Sequence, residues 1–458
     1  MTNRNELITV GSKHEVFIEK MAHEGQGIGK INGKTIFVEE AIFSEKCLVE
    51  IVKVKKNYVI GKVVKIIKAS PNRINPICLS AADCGGCGLQ HMNYEAQLSF
   101  KTEKVRDSLK RIGHIDVEVL NTIGMKEPWY YRNKSQFPVG VIDGHGILGF
   151  YKKRSHEIVD VGNCLIQQQT NNEVLSVLKE WITKHNIPLY DEARHQGLLR
   201  HVVTRTAYKT GEIMVILVAN GRDIPQRKEL IELLKSKING FKSLILNVNT
   251  KKTNVILGEE NITIFGRPYI YDYISEIKFR LSPQSFFQVN PIQVEVLYNK
   301  VLEYAELTGS ETVVDLYCGL GTITLFLAKK AKKVYGIEVV SEAIADARVN
   351  AQINNIYNVE FIEGAAEKIM PDMVKKGIKP DIIVVDPPRR GCHERTLEAI
   401  TTVYPTKVIY VSCNPATLAR DLRYLEDRGF KTIKVQPVDM FPQTHHVECV
   451  TLMSRVKD

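Results

Sequence analysis

A repeated alternation of strand and helix patterns, from about Glu311 to the end of the chain, is the sequence feature that most restricts the fold. Apolar strand patterns such as TVVD, KVYGIE, DIIVVD and KVIYVS alternate with helical patterns such as SEAIADARVNAQINN. Repeated β-α-β units form a parallel sheet with helices on both faces, and ligands bind at the carboxyl ends of its strands. Residues 281–458 are therefore predicted to form a Rossmann-like α/β domain.

Short strand patterns interrupted by glycines occupy residues 8–67 and predict a small OB-like β-barrel. The segments CLVEIVKV and VIGKVVKI alternate apolar and polar residues, as half-buried strands do. The stretch from Lys46 to Arg73 contains eight Lys or Arg residues and a single acid, Glu50. This charge predicts a surface that follows a nucleic-acid backbone. A solvated lysine face that protects a sheet edge gives the same pattern, so this alternative stays open.

Residues 68–280 predict a mixed α+β domain between these two regions. Its strand patterns are SQFPVGVI, GILGFYKK, LLRHVVTRTAY, EIMVILVAN, SLILNVNT and NVILG, and its helical patterns are Tyr94–Ile112 and LSVLKEWITKHN. The part from about residue 92 to 124 is a candidate for packing with the C-terminal domain.

A glycine turn after the first strand of the C-terminal domain predicts a ligand site. Asp315 ends the strand, and Gly319 and Gly321 allow the backbone to turn tightly and approach a ligand. The motif lacks the features of a P-loop, so it does not predict triphosphate binding. Glu338 follows Asp315 by 23 residues at the end of the next strand, where a carboxylate accepts ribose hydroxyls. Together with the later strand-end Asp386, this spacing favours an adenosine ligand.

Two further segments carry residues for chemistry. Asp386 begins the sequence Asp-Pro-Pro-Arg, whose prolines fix the carboxylate at the ligand edge. Cys413 follows the next strand at a helix start, where the helix dipole is expected to lower a thiol pKa and favour a nucleophile; the alternative is a small buried cysteine. Glu448 follows His445 and His446 and is a candidate base, although such an acid on its own is more often a surface carboxylate.

The motifs DLYCGLGT, DPPRRG, VSCNPATLARDL and THHVE, with SPQSFFQVNP upstream, resemble those of the S-adenosylmethionine-dependent RNA uracil-C5 methyltransferases. The resemblance spans nearly the whole chain and includes the family's N-terminal TRAM barrel, which binds RNA. It implies the following methyl-donor contacts: Gln288, Tyr317, Glu338 and Asp386. It also implies that Cys413 is the nucleophile and Glu448 the general base. A further donor contact, often Asn, is Thr322 here, so this position is left unassigned.

The chemistry of this reaction requires the same residue types. Uracil C5 is a weak nucleophile, but addition of a thiolate at C6 creates an enolate whose C5 attacks the sulfonium methyl group. The remaining C5 proton must then be removed so that elimination releases the cysteine. These steps need Cys413 as nucleophile and Glu448 as base.

Four of the nine cysteines have spacings typical of a metal site: Cys78, Cys84, Cys87 and Cys164. From spacing alone, an iron–sulfur cluster, an all-cysteine zinc site and free thiols all remain open. The resemblance implies a 4Fe-4S cluster that is structural or positions RNA. The remaining cysteines, apart from Cys413, have no partner at ligand spacing and are expected to be small buried residues.

The predicted substrate is a flipped uridine in 23S ribosomal RNA, because the barrel and the cysteine loop resemble the ribosomal branch of the family. Alternatives are a transfer-RNA uridine, a non-catalytic RNA-binding protein and a cytosine-C5 methyltransferase. The last normally places its nucleophile in a Pro-Cys dipeptide, where this chain has Asp-Pro-Pro-Arg. The net charge of +10 suits a polyanionic partner, and the lack of a long apolar segment predicts a cytoplasmic protein without membrane contact, expected to be a monomer.

Overall fold

The computed structural model describes residues 7–142 and 144–456, which fold around an N-terminal, a central and a C-terminal sheet. The N-terminal sheet has the strand order β1-β5-β6-β4-β3-β2. Its strands are β1 (Lys13–Phe17), β2 (Lys20–Met21), β3 (Gly27–Ile31), β4 (Lys34–Glu39), β5 (Lys46–Val54) and β6 (Tyr58–Lys68). Alternate residues of β1 are buried because successive strand side chains point to opposite faces. Their apolar face packs with Ile36 and Val49 in a separate core.

The helices lie between and around the sheets. They are α1 (Tyr94–Ser108), α2 (Gln169–His185), α3 (Arg227–Lys237), α4 (Pro291–Ala305), α5 (Thr322–Ala328), α6 (Ser341–Ile353), α7 (Ala366–Lys375), α8 (Glu394–Val403) and α9 (Pro415–Glu426). Helix α1 begins where the Asn93 side chain accepts a hydrogen bond from the Ala96 amide at 2.9 Å, and it ends in a π-helical turn at Leu109–Gly113. The predicted helix at Tyr94–Ile112 therefore exists, with a change of helix type in its last turn.

The central sheet has the order β13-β12-β11-β10-β7-β8-β9. Its strands are β7 (Lys134–Ile142), β8 (His145–Tyr151), β9 (Ile158–Asp160), β10 (Leu199–Thr206), β11 (Ile213–Ala219), β12 (Phe241–Val248) and β13 (Glu260–Gly266). Strands β10 and β11 are buried along their whole length because α2 covers one face and the C-terminal domain the other. Only β11 and β12 run parallel among the pairs described in this sheet.

The prediction of a strand at residues 254–258 is wrong. The NVILG segment at 254–258 is irregular, and the Asn249 side chain donates to the carbonyls of Val255 and Ile256 at 2.8 and 2.9 Å. These local bonds compete with strand pairing for the same backbone groups. Helix α3, strand β13 and the hairpin of β14 (Ile270–Ile274) with β15 (Ile277–Leu281) have no counterpart among the predicted elements.

The C-terminal sheet confirms the predicted doubly wound architecture. Its strands are β16 (Thr312–Leu316), β17 (Lys333–Glu338), β18 (Val359–Glu363), β19 (Ile382–Val385), β20 (Lys407–Ser412), β21 (Phe430–Val438) and β22 (Glu448–Arg455). They are ordered β18-β17-β16-β19-β20-β22-β21, and β22 is antiparallel to both of its neighbours. The chain changes direction across the sheet beside β16, so ligands are expected at the carboxyl ends of β16, β17 and β19.

The segment that follows α1 lies along the edge of the C-terminal sheet. The Leu120 amide donates to the Val435 carbonyl at 2.9 Å, and Ile123 forms a bridge with Val438. Helix α1 also packs against α9, and its Val105 belongs to the same apolar core as α9. Within the described residues, none of the helices has the length and hydropathy needed to cross a lipid bilayer.

Candidate active site at the carboxyl edge of the C-terminal sheet

Three predicted site residues reach one edge of the C-terminal sheet. Asp386 follows β19, Cys413 follows the neighbouring β20, and Glu448 is the first residue of β22. Because β22 runs antiparallel to β20, its first residue lies at the same edge as the last residue of β20, and Ser412 pairs with Cys449. The strand order therefore brings together side chains that are up to 62 residues apart in the sequence.

The loop that carries Cys413 is held by hydrogen bonds to the loop after Asp386. Asn414 caps α9 by accepting from the Ala416 amide at 3.1 Å, and its amide group donates to the Arg389 carbonyl at 3.0 Å. The Asp421 carboxylate of α9 accepts from the Cys392 amide at 2.8 Å. These bonds fix the cysteine loop relative to the Asp-Pro-Pro-Arg loop and so preorganise the edge.

The prediction that the Cys413 thiol has a lowered pKa is wrong. Burial, followed by the nearby carboxylates of Glu448 and Asp386, raises the pKa of the Cys413 thiol to about 12, and the Arg389 guanidinium acts in the opposite direction. The start of α9 does favour a thiolate. However, two facing acids and the loss of water outweigh a helix terminus, whose effect is about 0.3–1 kcal/mol at an exposed position.

The two acids are perturbed in the same direction. Burial raises the pKa of Asp386 to about 6. Burial and the Asp386 charge raise the pKa of Glu448 well above its usual value. Like charges in one buried place disfavour each other, so this edge holds fewer negative charges than its residue types suggest. The arrangement is suited to a cationic ligand and to a carboxyl group that takes up a proton near neutral pH.

The neighbouring histidines are neutral at pH 7 in this environment. Burial and the His445 ring lower the pKa of His446 to about 3, while burial and Lys104 lower the pKa of His445 to about 4. Their ring centroids lie 4.3 Å apart. Neither histidine therefore adds a positive charge that would stabilise a Cys413 thiolate.

The glycine turn and Glu338 meet as the sequence predicts. The Gly319 amide donates to Glu338 Oε2 at 3.2 Å, and the amides of Val339 and Val340 donate to Oε1 at 2.8 and 3.0 Å. Gly321 has a φ of +84°, which a residue with a Cβ adopts only with strain. The Glu338 carboxylate is thus oriented by backbone amides at the ligand edge of β17.

A buried carboxyl group lies beneath this turn. Asp315 accepts a hydrogen bond from the Thr324 hydroxyl at 2.6 Å through Oδ2, while its Oδ1 is buried without a partner among the described residues. Burial raises the pKa of Asp315 to about 7, and the Asp386 charge adds to the effect. A buried oxygen without a hydrogen-bond partner destabilises the fold by about 1–3 kcal/mol. A ligand that donates a hydrogen bond to Asp315 Oδ1 would remove this destabilisation.

Tyr317 and Gln288, the other predicted methyl-donor contacts, form hydrogen bonds to residues outside the predicted set. Tyr317 has a left-handed backbone with φ of +64°, and its hydroxyl donates to Thr396 of α8 at 3.3 Å. Gln288 is buried before α4, where its carbonyl accepts from the Asn133 side chain at 3.2 Å. No hydrogen bond within the described parts of the chain joins the Gln288 side chain to the other predicted donor residues.

Two residues at this edge were missed by sequence reasoning as site residues. Tyr298 of α4 donates to the Thr322 hydroxyl at 2.8 Å. Burial, with smaller effects from the charges of Asp386, Asp315 and Glu448, raises the pKa of Tyr298. Thr322, left unassigned from the sequence, therefore already has a partner. Arg389 acts electrostatically on Cys413 and Glu448. Its place directly after Asp-Pro-Pro was the available signal, whereas nothing in the pattern of α4 distinguishes Tyr298 from a core residue.

The four cysteines predicted as metal ligands line one cavity, three from the loop before α1 and Cys164 from the segment between β9 and α2. Its volume is about 380 Å³, and its lining includes Cys78, Cys84, Cys87 and Cys164 together with Arg132 and Lys134. Among the described residues, no three His, Cys, Asp or Glu side chains converge closely enough to hold a single metal ion. Four of the remaining cysteines are buried, as expected: Cys47, Cys318, Cys392 and Cys449.

The predicted basic surface on the N-terminal sheet is only partly free. The prediction that Arg73 belongs to that surface is wrong. Its guanidinium pairs with the buried Glu45 carboxylate at 2.5 Å and donates to the Glu40 carbonyl at 2.5 Å. Lys46 pairs with Glu15 and Lys62 with Glu50. The end of β5 and the β5–β6 turn contain exposed lysines without an ion pair in the described structure: Lys53, Lys55 and Lys56.

The C-terminal sheet, its glycine turn and the three groups at its edge define a Rossmann-like methyltransferase fold. The family pattern described as tRNA (Uracil-5-)-methyltransferase matches residues 93–456, and that of the TRAM domain matches residues 8–64. The chain therefore belongs to the RNA uracil-5-methyltransferase family and carries an N-terminal TRAM domain.

Relatives with the same length support this assignment. An uncharacterized RNA methyltransferase of Caldanaerobacter subterraneus is 54% identical over 98% of this chain and 99% of its own length. One from Clostridium tetani is 53% identical over 98% and 97%. The crystal structure of Pyrococcus abyssi tRNA (uracil-54, C5)-methyltransferase in complex with S-adenosyl-L-homocysteine has a TM-score of 0.77 at 30% identity. It covers 96% of this chain and 100% of the archaeal one.

Proposed function

We propose that this protein transfers a methyl group from S-adenosylmethionine to C5 of uridine in 23S ribosomal RNA through a covalent adduct between Cys413 and uracil C6. The observation that carries this proposal is the meeting of a cysteine with two acids, Asp386 and Glu448, at one sheet edge. A cysteine in a ligand cleft beside a perturbed carboxyl group suits covalent catalysis followed by proton removal.

The residues at the edge fit the methyl donor. Glu338 presents a carboxylate fixed by backbone amides to ribose hydroxyls, and Asp315 retains an oxygen without a partner in the described structure. The excess of acids over bases beside Asp386 complements a sulfonium cation. We assign the donor contacts to Gln288, Tyr317, Glu338 and Asp386. When bound, S-adenosylmethionine supplies the electrophilic methyl group.

Cys413 performs the first step on the uracil ring. Its thiolate donates an electron pair to C6, a C6–S bond forms, and the C5=C6 electrons move toward the O4 carbonyl to give an enolate. Because the resting thiol pKa is high, the Cys413 proton must first pass to solvent, and the thiolate that remains then attacks C6. Arg389, the cation that lowers this pKa, assists the loss of the proton.

Glu448 performs the last step. After C5 has gained the methyl group it carries one hydrogen, and the Glu448 carboxylate takes this proton. The C5–H electrons then re-form the C5=C6 bond and expel the Cys413 thiolate. The raised pKa of Glu448 makes it a better proton acceptor once it is ionised, because a stronger base accepts more readily.

We further propose that Cys78, Cys84, Cys87 and Cys164 hold a 4Fe-4S cluster. The four thiols line one cavity of about 380 Å³, which is larger than a single ion needs. Structural zinc needs four ligands at about 2.0–2.3 Å from one centre. A cluster has iron at several corners and takes one thiolate at each, so it needs a cavity of this kind rather than a single point.

Ribosomal RNA is the proposed target, with transfer RNA as a second candidate favoured by the likeness to the archaeal tRNA (uracil-54, C5)-methyltransferase. The experiment is a map of 5-methyluridine in ribosomal and transfer RNA from cells with the gene, without it, and complemented with Cys413→Ala. We expect one or more 23S sites to disappear on deletion and to stay absent with the variant. Loss confined to transfer RNA would overturn the ribosomal assignment, and unchanged uridine methylation in both would overturn the function.

A further inference from the structure

The segment before Glu448 is held by contacts from outside the C-terminal sheet. Residues 439–446 form most of the connection from β21 to β22, and only Val447 separates them from Glu448, the proposed base. The Tyr131 hydroxyl donates to the Pro442 carbonyl at 3.0 Å, and the Asn290 side chain donates to the Met440 carbonyl at 3.1 Å. Backbone carbonyls of this connection therefore accept from side chains of the central domain and of the residue that caps α4.

Helix α1 supplies the densest set of these contacts. The Lys101 ammonium binds Asp439 Oδ1 at 2.5 Å and the Phe441 carbonyl at 3.1 Å, with both charged side chains fully buried. One helical turn further, the Lys104 ammonium donates to the His445 carbonyl at 2.8 Å. Helix α1 therefore binds the 439–446 segment near both of its ends.

Gln97 of α1 connects the 439–446 segment to the residues that precede α1. Its amide nitrogen donates to the Leu89 carbonyl at 3.2 Å, the Met92 carbonyl at 2.9 Å and Gln443 Oε1 at 3.0 Å. Its oxygen accepts from the Gln443 amide at 3.0 Å. Leu89, two residues after Cys87, also donates through its own amide to the Gln443 carbonyl at 3.0 Å. Gln97 is 1% exposed, so each of these bonds is made away from water.

We infer that Gln97 and Lys104 are positioning residues for the proton-removal step, because they hold the 439–446 segment so that Glu448 meets the uracil C5 proton. This inference rests on the proposed function. Cys413 is carried by a separate loop, which α9 and the Asp-Pro-Pro-Arg loop fix. Loss of the Gln97 and Lys104 bonds therefore acts on the base, while the bonds that hold the Cys413 loop remain.

Proton removal by Glu448 is expected to be sensitive to small displacements of its carboxylate. A proton transfer requires the two heavy atoms to approach hydrogen-bond distance, about 2.6–3.2 Å, so a small displacement of the base slows it strongly. A misplacement of about 1 Å can cost about 100-fold in rate. Gln97 also donates to the carbonyls of Leu89 and Met92, which follow Cys87, so the same side chain connects the end of the loop at residues 78–87 to the segment before Glu448.

The test separates formation of the RNA adduct from its release. Gln97→Met keeps the side-chain length but removes the bonds to Gln443, and Glu103→Gln on the exposed face of α1 is the matched control. Purified full-length variants are mixed with methyl donor and a substrate RNA fragment in single-turnover experiments. Denaturing gels report the covalent adduct, and chromatography of digested RNA reports 5-methyluridine.

With Gln97→Met we expect adduct formation within about twofold of the parent rate, release at least tenfold slower, and accumulation of methylated, protein-bound RNA. Glu103→Gln should match the parent protein. Lys104→Met, which removes the donor to the His445 carbonyl, should act in the same direction and serves if Gln97→Met does not fold.

Equal slowing of formation and release in both variants would overturn the inference, because it indicates general loss of structure. Absence of accumulated adduct in both would overturn it as well. Glu448→Gln distinguishes this failure from failure of the proposed function. If Glu448→Gln accumulates adduct and the α1 variants do not, only the positioning role is wrong; if Glu448→Gln forms no adduct, the proposed mechanism is wrong.

Discussion

Lys101 of α1 and Asp439 at the end of β21 form an ion pair of 2.5 Å in which both side chains are fully buried. The Tyr94 hydroxyl also donates to this carboxylate at 3.0 Å. A buried pair contributes little net stability when complete, because desolvation offsets the attraction, but removal of one partner leaves an unpaired charge. We therefore expect the pair to favour this docking of α1 on the C-terminal domain over others that would separate the two charges.

Lys101→Met should destabilise the protein by about 3–5 kcal/mol, because it leaves the Asp439 carboxylate buried without its cation. Urea unfolding followed by circular dichroism measures this change. Lys110→Met in the exposed π-helical turn is the control and should change stability by less than about 0.5 kcal/mol. A Lys101→Met protein as stable as the control would contradict the role of the pair.

Replacement of the proposed nucleophile and base should have opposite effects on covalent RNA. Cys413→Ala should abolish the adduct and lower methyl transfer at least 1,000-fold, on the order of 4 kcal/mol. Glu448→Gln should trap the adduct, because it removes the group that accepts the C5 proton. Electrophoresis under denaturing conditions with labelled RNA tests both. An active Cys413→Ala enzyme would refute the covalent mechanism.

The reactivity of free Cys413 should increase with pH. Its thiol pKa is raised to about 12, so the protonated form dominates at neutral pH and the thiolate fraction rises about tenfold per pH unit below that value. Iodoacetamide labelling, read by mass spectrometry of the peptide containing residue 413, should follow this slope from pH 7 to 9.

Substitutions of its charged neighbours should shift that labelling in opposite directions. Asp386→Asn removes a negative charge that raises the Cys413 pKa, so labelling at pH 8 should become faster. Arg389→Gln removes a positive charge that lowers the pKa, so labelling should become slower. The same direction in both variants would show that access, not charge, controls the thiol.

The cysteine cavity predicts a defined metal content. Anaerobically prepared protein should contain iron and sulfide in equal amounts with a broad visible absorption, and Cys87→Ser should lose most of both. Cys47→Ala, in the core of the N-terminal sheet, is the control because this thiol does not line the cavity. Zinc in place of iron would reject the proposed cluster.

The free lysines of the N-terminal sheet should contribute to RNA affinity through phosphates. Lys55→Gln combined with Lys56→Gln should weaken binding and reduce the slope of log Kd against log salt by about 0.7 for each phosphate that the variant no longer binds. Lys376→Gln with Lys379→Gln, exposed in and beside the turn after α7, is the matched control. Equal affinities and equal slopes in the two double variants would show that the β5–β6 turn does not touch RNA.

Much of the site could be predicted because strand ends are visible in the sequence. Asp386 and Cys413 each follow an apolar run directly, so their placement at a parallel-sheet edge follows from the repeated β-α-β pattern. Tyr298 could not be found this way, because a tyrosine on an amphipathic helix has the same pattern whether it faces a core or a ligand site.

The pKa of Cys413 shows a second limit. The local sequence contains the helix start that favours a thiolate, but the acids that oppose it come from strands β19 and β22. Arg73 is similar: its place in a basic run predicts a free cation, whereas the buried Glu45 that pairs with it lies 28 residues earlier. Electrostatic environment depends on distances in space, which spacing along the chain does not provide.

The sequence by itself determined the architecture of the C-terminal domain, the residues at its strand ends and the family, because hydrophobic periodicity and short motifs are local properties of the chain. Tertiary structure alone decided which charges face Cys413 and how α1 binds the 439–446 segment. These features depend on contacts between residues as many as 346 positions apart, which form only when the separate regions pack together.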